Sequence, residues 1–144
     1  MSAEVPLYRQ IIYKSNATRA MTQQDLETLL AECRTLNAQH HVTGVLLYVN
    51  GYFVQCIEGA SEEIAQLLGN IRRDERNHSL AVLEDIMVGE RAFPDWQMGF
   101  RVLDVEELRQ QEGFMDVNVA EGLDGVLSRH KPLFGIMHAF YTSI

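Results

Sequence analysis

Two segments of the chain carry apolar residues three or four positions apart, which is the spacing of one helical face. Thr22 and Asp25 precede the first segment and resemble a capping box, with Asp in place of the usual Glu. Ser61 precedes the second segment and is expected to cap a helix there. The sequence therefore predicts two amphipathic helices. Their apolar stripes are Leu26, Leu29, Leu30 and Cys33 in the first, and Ile64, Leu67, Leu68 and Ile71 in the second.

Runs rich in β-branched and aromatic residues predict five strands. Turn-forming residues from Lys14 to Asn16 are expected to end the first strand. Asn50 and Gly51 separate the second and third strands, and this dipeptide is the strongest short-range signal for a β-hairpin. The predicted strands are Leu7–Tyr13, Val42–Val49, Tyr52–Glu58, Leu80–Val88 and Trp96–Leu103.

The resulting order of elements is βαββαββ, the split βαβ pattern of a ferredoxin-like α+β fold. We expect a mixed five-stranded sheet with both helices on one face, formed by residues 1–103. Residues 104–144 are expected to form a C-terminal helical extension, with short helices around Ala120–Arg129 and Leu133–Tyr141. The apolar stripes of this extension either cover the other face of the sheet or offer a surface to a partner.

Composition narrows the class of protein. The 144 residues are 47% hydrophobic and 22% charged, as in a globular domain. A net charge of −8 repels a phosphate backbone, so nucleic-acid binding is not expected. The only two cysteines, Cys33 and Cys56, are far apart, which favours reduced thiols in a cytoplasm over a disulfide or zinc site. No apolar run approaches the length of a membrane span, and no secretory signal is visible, so we expect a soluble cytoplasmic protein.

Three polar residues depart from this ordinary pattern. Asn37 falls on the apolar stripe of the first helix, where it is either a helix-end cap or a group in need of a partner. Gln55 shares its strand face with apolar neighbours, so its amide bonds either to protein or to a ligand. Tyr13 on the first strand is either a core tyrosine with a satisfied hydroxyl, which the local pattern favours, or a ligand contact.

Trp96 and Met98 stand two positions apart on the predicted fifth strand and should share a face, as core residues or as ligand contacts. The sequence has no glycine-rich phosphate loop, no Gly-x-Ser-x-Gly elbow and no Cys–His pair in a catalytic pattern. The histidines are scattered or adjacent, which is poor geometry for a metal site. We therefore predict neither an enzyme nor a metalloprotein.

Five motifs in order resemble the BLUF family of flavin-binding blue-light sensors, over about two thirds of the chain. Tyr13-Lys-Ser15 is similar to the family's Tyr-x-Ser motif. Asn37 followed by Thr43-Gly44-Val-Leu-Leu-Tyr48 is similar to the family's Asn…Thr-Gly-x-Leu-x-Tyr motif. Phe53-Val-Gln55-Cys-Ile-Glu58-Gly59 is similar to Phe-x-Gln-x-x-Glu-Gly. The last two motifs are Asp74-Glu-Arg76-Asn-His78 and Arg91-x-Phe93-x-x-Trp96-x-Met98.

The resemblance implies a flavin between the two helices, FAD with FMN as the alternative, and a set of residues around it. Tyr13 would be the photoactive tyrosine, with Gln55 linking it to the flavin and Trp96 and Met98 beside that amide. Asn37 would hydrogen-bond the flavin ring. The remaining implied flavin contacts are Leu29, Cys33, Ile71, Asp74 and His78. Relatives often have Ser at the position of Cys33, and some have Arg at that of Asn70.

The implied function is a blue-light photoreceptor in which excitation drives electron and proton transfer from Tyr13 to the flavin and rearranges the Gln55 amide. Because nothing after Phe100 resembles an effector module, we expect the signal to pass by protein contact, to a partner in trans or through self-association into a homo-oligomer. The alternative is a ferredoxin-like regulatory module that binds a small metabolite and is not photoactive. A redox flavoenzyme is disfavoured because no nicotinamide-binding motif is present.

Overall fold

The computed structural model describes residues 7–103, so the predicted helices of residues 104–144 lie outside the described residues. Two helices and five strands follow one another in the predicted order βαββαββ. They are β1 (Tyr8–Ala17), α1 (Gln23–His40), β2 (Thr43–Val49), β3 (Tyr52–Gly59), α2 (Ser61–Arg73), β4 (Asn77–Val88) and β5 (Gly99–Leu103).

The strands form one mixed sheet in the order β4-β1-β3-β2-β5. β1 pairs antiparallel with both β3 and β4, β2 pairs antiparallel with β3, and β5 is parallel to β2. β3 is therefore the central strand of the sheet, and β1 lies beside it with a paired strand on each of its own sides. This arrangement, with both helices on one face, confirms the predicted ferredoxin-like α+β fold.

The first helix and the hairpin form where the sequence predicts them. The Thr22 side chain accepts from the Asp25 amide at 3.1 Å, and the Asp25 carboxylate accepts from the Thr22 amide at 3.0 Å, which completes the capping box. Asn50 and Gly51 both have positive φ, 47° and 87°, as a two-residue hairpin turn requires. The prediction that Ser61 caps α2 is wrong, because Ala60 occupies the N-cap position and Ser61 is the first helical residue.

Three strand boundaries also differ from prediction by three or more residues, and one of them is the start of β4, at Asn77 and not at Leu80. β1 continues through Lys14 to Ala17, where a turn was expected, because Asn16 pairs with Tyr52 of β3 on one side and with His78 of β4 on the other. Ladder hydrogen bonds on both sides outweigh the local turn preference of these residues. β5 starts at Gly99 and not at Trp96, which leaves the preceding three residues outside the sheet.

The core between the helices and the sheet is apolar. Ile11, Ile57 and Ile64 are completely buried, and they pack with side chains from both helices. Among the described helices, none is long and apolar enough to cross a membrane.

Gly44 marks the closest approach of β2 to β3. Its φ of 155° and its surroundings exclude a side chain, since a Cβ there would lie 2.0 Å from the Cys56 carbonyl oxygen. We expect Gly44→Ala to lower the free energy of unfolding by roughly 3 kcal/mol, measured by urea denaturation. Gly89→Ala is the matched control, because a Cβ at Gly89 meets no atom within 4 Å. Equal stability of the two variants would contradict this account of the strand contact.

Candidate functional site

A cavity of about 750 Å³, including its open mouth, lies between α1 and α2 above the central strands. Its walls are mainly apolar, and its floor is the helix-facing side of the sheet. Tyr13 and Gln55 contribute polar groups to that floor, and Asn37 contributes one from α1. This combination of an apolar slot with a few convergent polar groups is typical of a site for a small organic ligand.

Tyr13 and Gln55 face each other across the two central strands, where they are register partners. The Tyr13 hydroxyl donates a hydrogen bond to Gln55 Oε1. Both side chains are buried, 4% exposed in each case. Burial raises the pKa of the Tyr13 phenol well above its ordinary value, so the hydroxyl keeps its proton and remains a donor at neutral pH.

The other end of the Gln55 amide meets Met98. Gln55 Nε2 lies 3.2 Å from the Met98 sulfur, and Met98 is only 2% exposed. A thioether sulfur accepts hydrogen bonds and has no hydrogen to donate. Tyr13, Gln55 and Met98 therefore form a chain of donors and acceptors in which the amide has a defined orientation.

Trp96 lies away from this chain and does not line the cavity. Its ring stacks on Phe93, with centroids 6.1 Å apart and planes at 13°. It also covers Gly99, where a Cβ would come within 2.1 Å of the Trp96 ring. The prediction that Trp96 and Met98 share a strand face is wrong, because both precede β5 and only Met98 turns into the core.

Asn37 is buried on the sheet-facing side of α1, three residues before its last residue. Its Nδ2 donates to the Gln97 carbonyl oxygen at 2.6 Å. Its backbone carbonyl accepts from the amides of His41 and Val42 as the helix ends. The side chain thus lines the cavity and at the same time holds the segment that leads into β5.

Charged residues at the mouth of the cavity are paired. Arg76 forms a fork with the Asp74 carboxylate at 2.6–3.1 Å and reaches Glu32 of α1 at 2.8 Å. The Arg76 hydrogen bonds lower the pKa of Asp74 below its ordinary value. Arg76 therefore links the loop after α2 to α1 on the open side of the cavity.

Cys33 of α1 lines the cavity as well. Burial raises the pKa of its thiol, and the nearby carboxylate of Glu32 acts in the same direction. The thiol is therefore neutral at physiological pH and behaves as a small apolar side chain with a weak donor.

Two buried polar atoms among the described residues have no hydrogen-bond partner, Ser15 Oγ and Asn77 Oδ1. Asn77 lines the cavity, and its Nδ2 donates to the carbonyls of Ile71 and Asp74 at 2.9 Å each. Ser15 lies opposite Phe53, whose side chain lines the cavity too. An unpartnered buried polar atom is costly, so the Asn77 oxygen in the cavity wall fits a ligand with a polar edge.

Most of the predicted site residues come together around this cavity. His78 does not, since it is exposed on β4 with Nδ1 2.9 Å from Ser79 Oγ. Asn77, its neighbour in the same motif, lines the cavity, although it is not among the flavin contacts that the resemblance implies. The lining residues that were predicted are Tyr13, Leu29, Cys33, Asn37, Gln55, Ile71 and Asp74.

Comparison with known proteins gives the class of this site. The family model described as BLUF, sensors of blue light using FAD, matches residues 8–99. This match covers more than half of the chain, and the chain belongs to the BLUF family. The resemblance of its sequence motifs to that family is thereby confirmed.

The relatives found by sequence are much larger proteins, and only one region of each is similar to this chain. Over 89 residues the chain is 37% identical to the photoactivated adenylate cyclase subunit beta-like protein FB of Euglena gracilis, and 38% identical to photoactivated adenylate cyclase subunit beta of Euglena longa. The matched region is 61% of this chain but only 10% of either relative. The chain therefore corresponds to a small part of these curated proteins.

Solved structures of similar size share the fold. BlrB, a BLUF protein in its dark state, is 26% identical, with a TM-score of 0.67 over 92% of this chain and 99% of that chain. The ground state of BlsA has a TM-score of 0.72 over 91% of this chain and 87% of that chain. Because BlsA is only 24% identical to this chain, the comparison with BlsA shows a shared fold and no more.

The lowered pKa of Asp74 makes its contribution to stability depend on pH. Such a carboxylate stabilises the folded state above the unfolded pKa of 3.8 and loses this effect as the pH falls through its lower folded value. We expect Asp74→Asn to cost about 0.5–1 kcal/mol at pH 7, because the pair is partly exposed. The difference from wild type should shrink as the pH falls below 3.8 and vanish once the pH is below the lower folded pKa.

Urea denaturation at a series of pH values measures this difference. Glu75→Gln removes a negative charge from the adjacent exposed position and is expected to leave stability nearly unchanged. A stability difference for Asp74→Asn that persisted unchanged at acidic pH would contradict the ion-pair explanation.

Proposed function

We propose that this chain is a blue-light photoreceptor in which the Gln55 amide is the switch. The observation that carries the proposal is the buried chain from the Tyr13 hydroxyl through Gln55 to the Met98 sulfur, on the floor of a ligand-sized cavity. An amide can exchange its donor and acceptor ends by rotation or tautomerisation. A group with two such states in a defined network can store a signal.

The flavin would be held by groups from both helices and from the sheet. Leu29 and Ile71 offer apolar surfaces for the two faces of an aromatic ring. Asn37 retains an amide hydrogen and an acceptor oxygen beyond its bond to Gln97, and Asn77 offers an unpartnered oxygen. When bound, the flavin supplies the absorption of blue light and the excited-state oxidant that withdraws an electron from a nearby phenol.

Tyr13 would be the donor of that electron, and its phenolic proton would leave along the hydrogen bond to Gln55. Electron and proton then return, so the phenol is restored and no net reaction takes place. The Gln55 amide would be left in its other orientation, with its donor and acceptor ends exchanged. The spectrum then shifts modestly to the red until the amide relaxes in darkness.

We infer FAD as the cofactor, supported by the description of the family. One structural relative, Klebsiella pneumoniae BlrP1, was solved with FMN, so FMN is the second candidate to be compared in reconstitution. We propose that this chain is a sensor without enzymatic activity. Its two free thiols, Cys33 and Cys56, support a reducing compartment such as the cytoplasm.

We also propose that the output of the sensor is a protein contact, with residues 104–144 as the segment that transmits it to a partner in trans or to a second copy. The larger relatives are photoactivated cyclase subunits and thus combine a region like this one with an effector.

Tyr13→Phe tests the switch directly. We expect this variant to retain flavin and lose the reversible red shift, because the phenolic proton and the bond to Gln55 are gone. Absorption spectra in the dark, after blue light and during dark recovery measure the effect. Tyr52→Phe is the control, since Tyr52 does not line the cavity.

A Tyr13→Phe protein that still showed the full reversible shift would contradict the proposed mechanism. A wild-type protein that stayed colourless after incubation with FAD and with FMN would instead favour the non-photoactive regulatory module.

Asn77→Leu tests the wall of the cavity. Removing the Asn77 oxygen should weaken flavin binding about five- to tenfold, the effect of losing one hydrogen bond. Titration of the apoprotein with FAD, followed by fluorescence quenching, measures this affinity. His78→Ala is the control and should bind like wild type, because His78 lies outside the cavity.

The Asn77 side chain also bonds the carbonyls at the end of α2, so the stability of each apoprotein is measured in parallel. Equal flavin affinities for the two variants would contradict the role given to Asn77.

A further inference from the structure

The segment 96–98 lies outside the sheet, yet each of its three carbonyl groups is bound by a different donor. Backbone carbonyls in an irregular segment have no ladder partners, so side chains and neighbouring strands decide where the segment lies. One donor comes from β2 and two come from α1. The bonds are Gly44 N to Trp96 O at 2.9 Å, Asn37 Nδ2 to Gln97 O at 2.6 Å, and Arg34 Nε to Met98 O at 3.1 Å.

Arg34 is the one of these donors that neither belongs to the sheet nor lines the flavin cavity. It lies one helical turn before Asn37, so both side chains project from the same side of α1 toward the segment. Arg34 is largely exposed, and its guanidinium is always charged. A charged donor to a carbonyl is stronger than a neutral one. Its contact therefore fixes the backbone of Met98 and has no evident role in holding a ligand.

The position of Met98 in turn decides which way the Gln55 amide points. With Nε2 toward the sulfur and Oε1 toward the Tyr13 hydroxyl, both ends of the amide have suitable partners. In the opposite orientation the amide oxygen would face the sulfur, and two acceptors would meet. The sulfur thus favours one orientation only while it stays in place.

We propose that Arg34 is a positioning residue of the switch: by holding the Met98 carbonyl it keeps the sulfur against Gln55 and speeds the return of the amide to its dark orientation. This inference rests on the proposed function and assigns the dark-recovery rate of the same site to a residue outside the cavity. The contacts run from Arg34 to Met98, from Met98 to Gln55 and from Gln55 to Tyr13.

The test is the rate of dark recovery in full-length, flavin-loaded protein, followed by absorption after a blue-light pulse. Arg34→Ala preserves helix formation at an exposed position and removes the donor. We expect recovery to slow about three- to tenfold, the range for one charge-assisted hydrogen bond that is partly re-formed in the transition state. Arg34→Lys retains a charged donor and should restore part of the rate. Arg72→Ala removes an exposed arginine from α2 and is the matched control.

A second comparison separates positioning from general stabilisation. Met98→Leu keeps an apolar side chain at this position but removes the sulfur, so Arg34→Ala should have little further effect in a Met98→Leu background. Such non-additivity is the signature of two residues that act through one contact. Urea denaturation of every variant records any change in stability.

Recovery of Arg34→Ala within twofold of wild type would overturn the inference while leaving the photoreceptor function intact. An equal slowing in the wild-type and Met98→Leu backgrounds would also overturn it, because Arg34 would then act by another route. If wild type showed no reversible red shift, the proposed function and this inference would both fall. Slowing in the wild-type background alone, with rescue by Arg34→Lys, would support the inference.

Discussion

The antiparallel pairing of β1 with β3 is the constraint on which the site depends. It places Tyr13 directly opposite Gln55 in the middle of the sheet, with strands on both sides. A shift of one residue in this register would turn one of the two side chains to the opposite face of the sheet. Two polar side chains in an apolar core must also satisfy each other, since buried groups without partners are costly. Register and hydrogen bonding therefore select the same arrangement.

On the other face of β3, a buried carboxylate holds the loop that leads to Trp96 and Met98. Glu58, three residues after Gln55, is completely buried, and its carboxylate accepts hydrogen bonds from four groups. Two of the donors are backbone amides in the loop before Trp96, so the carboxylate fixes where that loop leaves β4. Arg91 bonds the Glu58 carbonyl at 3.0 Å and brings a positive charge close to the carboxylate. The four donors are Gln10 Nε2, Thr43 Oγ1, Ala92 N and Phe93 N.

Short sequence motifs correctly predicted the helices and the hairpin, because residues close in sequence decide the conformation of these elements. The capping box at Thr22, the Asn50–Gly51 turn and the two apolar stripes each depend on neighbours within four residues, and the helices and hairpin form as predicted. The resemblance to the family also identified seven of the fifteen described residues that line the cavity.

Apart from the cap of α2, the errors lie where contacts between different elements decide the conformation. β1 extends past Lys14 because two other strands pair with it, and the segment from Trp96 to Met98 leaves the strand because α1 and β2 bind its carbonyls. Asn77, and not His78, lines the cavity because its amide is held by the end of α2. The order of residues along the sequence does not indicate these hydrogen bonds between elements.

The proposed flavin contact of Asn37 would couple ligand binding to the position of the segment 96–98. One of its two amide hydrogens is committed to the Gln97 carbonyl, while its oxygen and second hydrogen remain for a ligand in the cavity that it lines. With a ligand bound to Asn37, a movement of Gln97 would change the orientation of this amide, and a change in the hydrogen bonds to the ligand would act back on Gln97. Such coupling is reciprocal by thermodynamic necessity. The same amide thus connects the cavity to the backbone that carries Met98, independently of the path through Gln55.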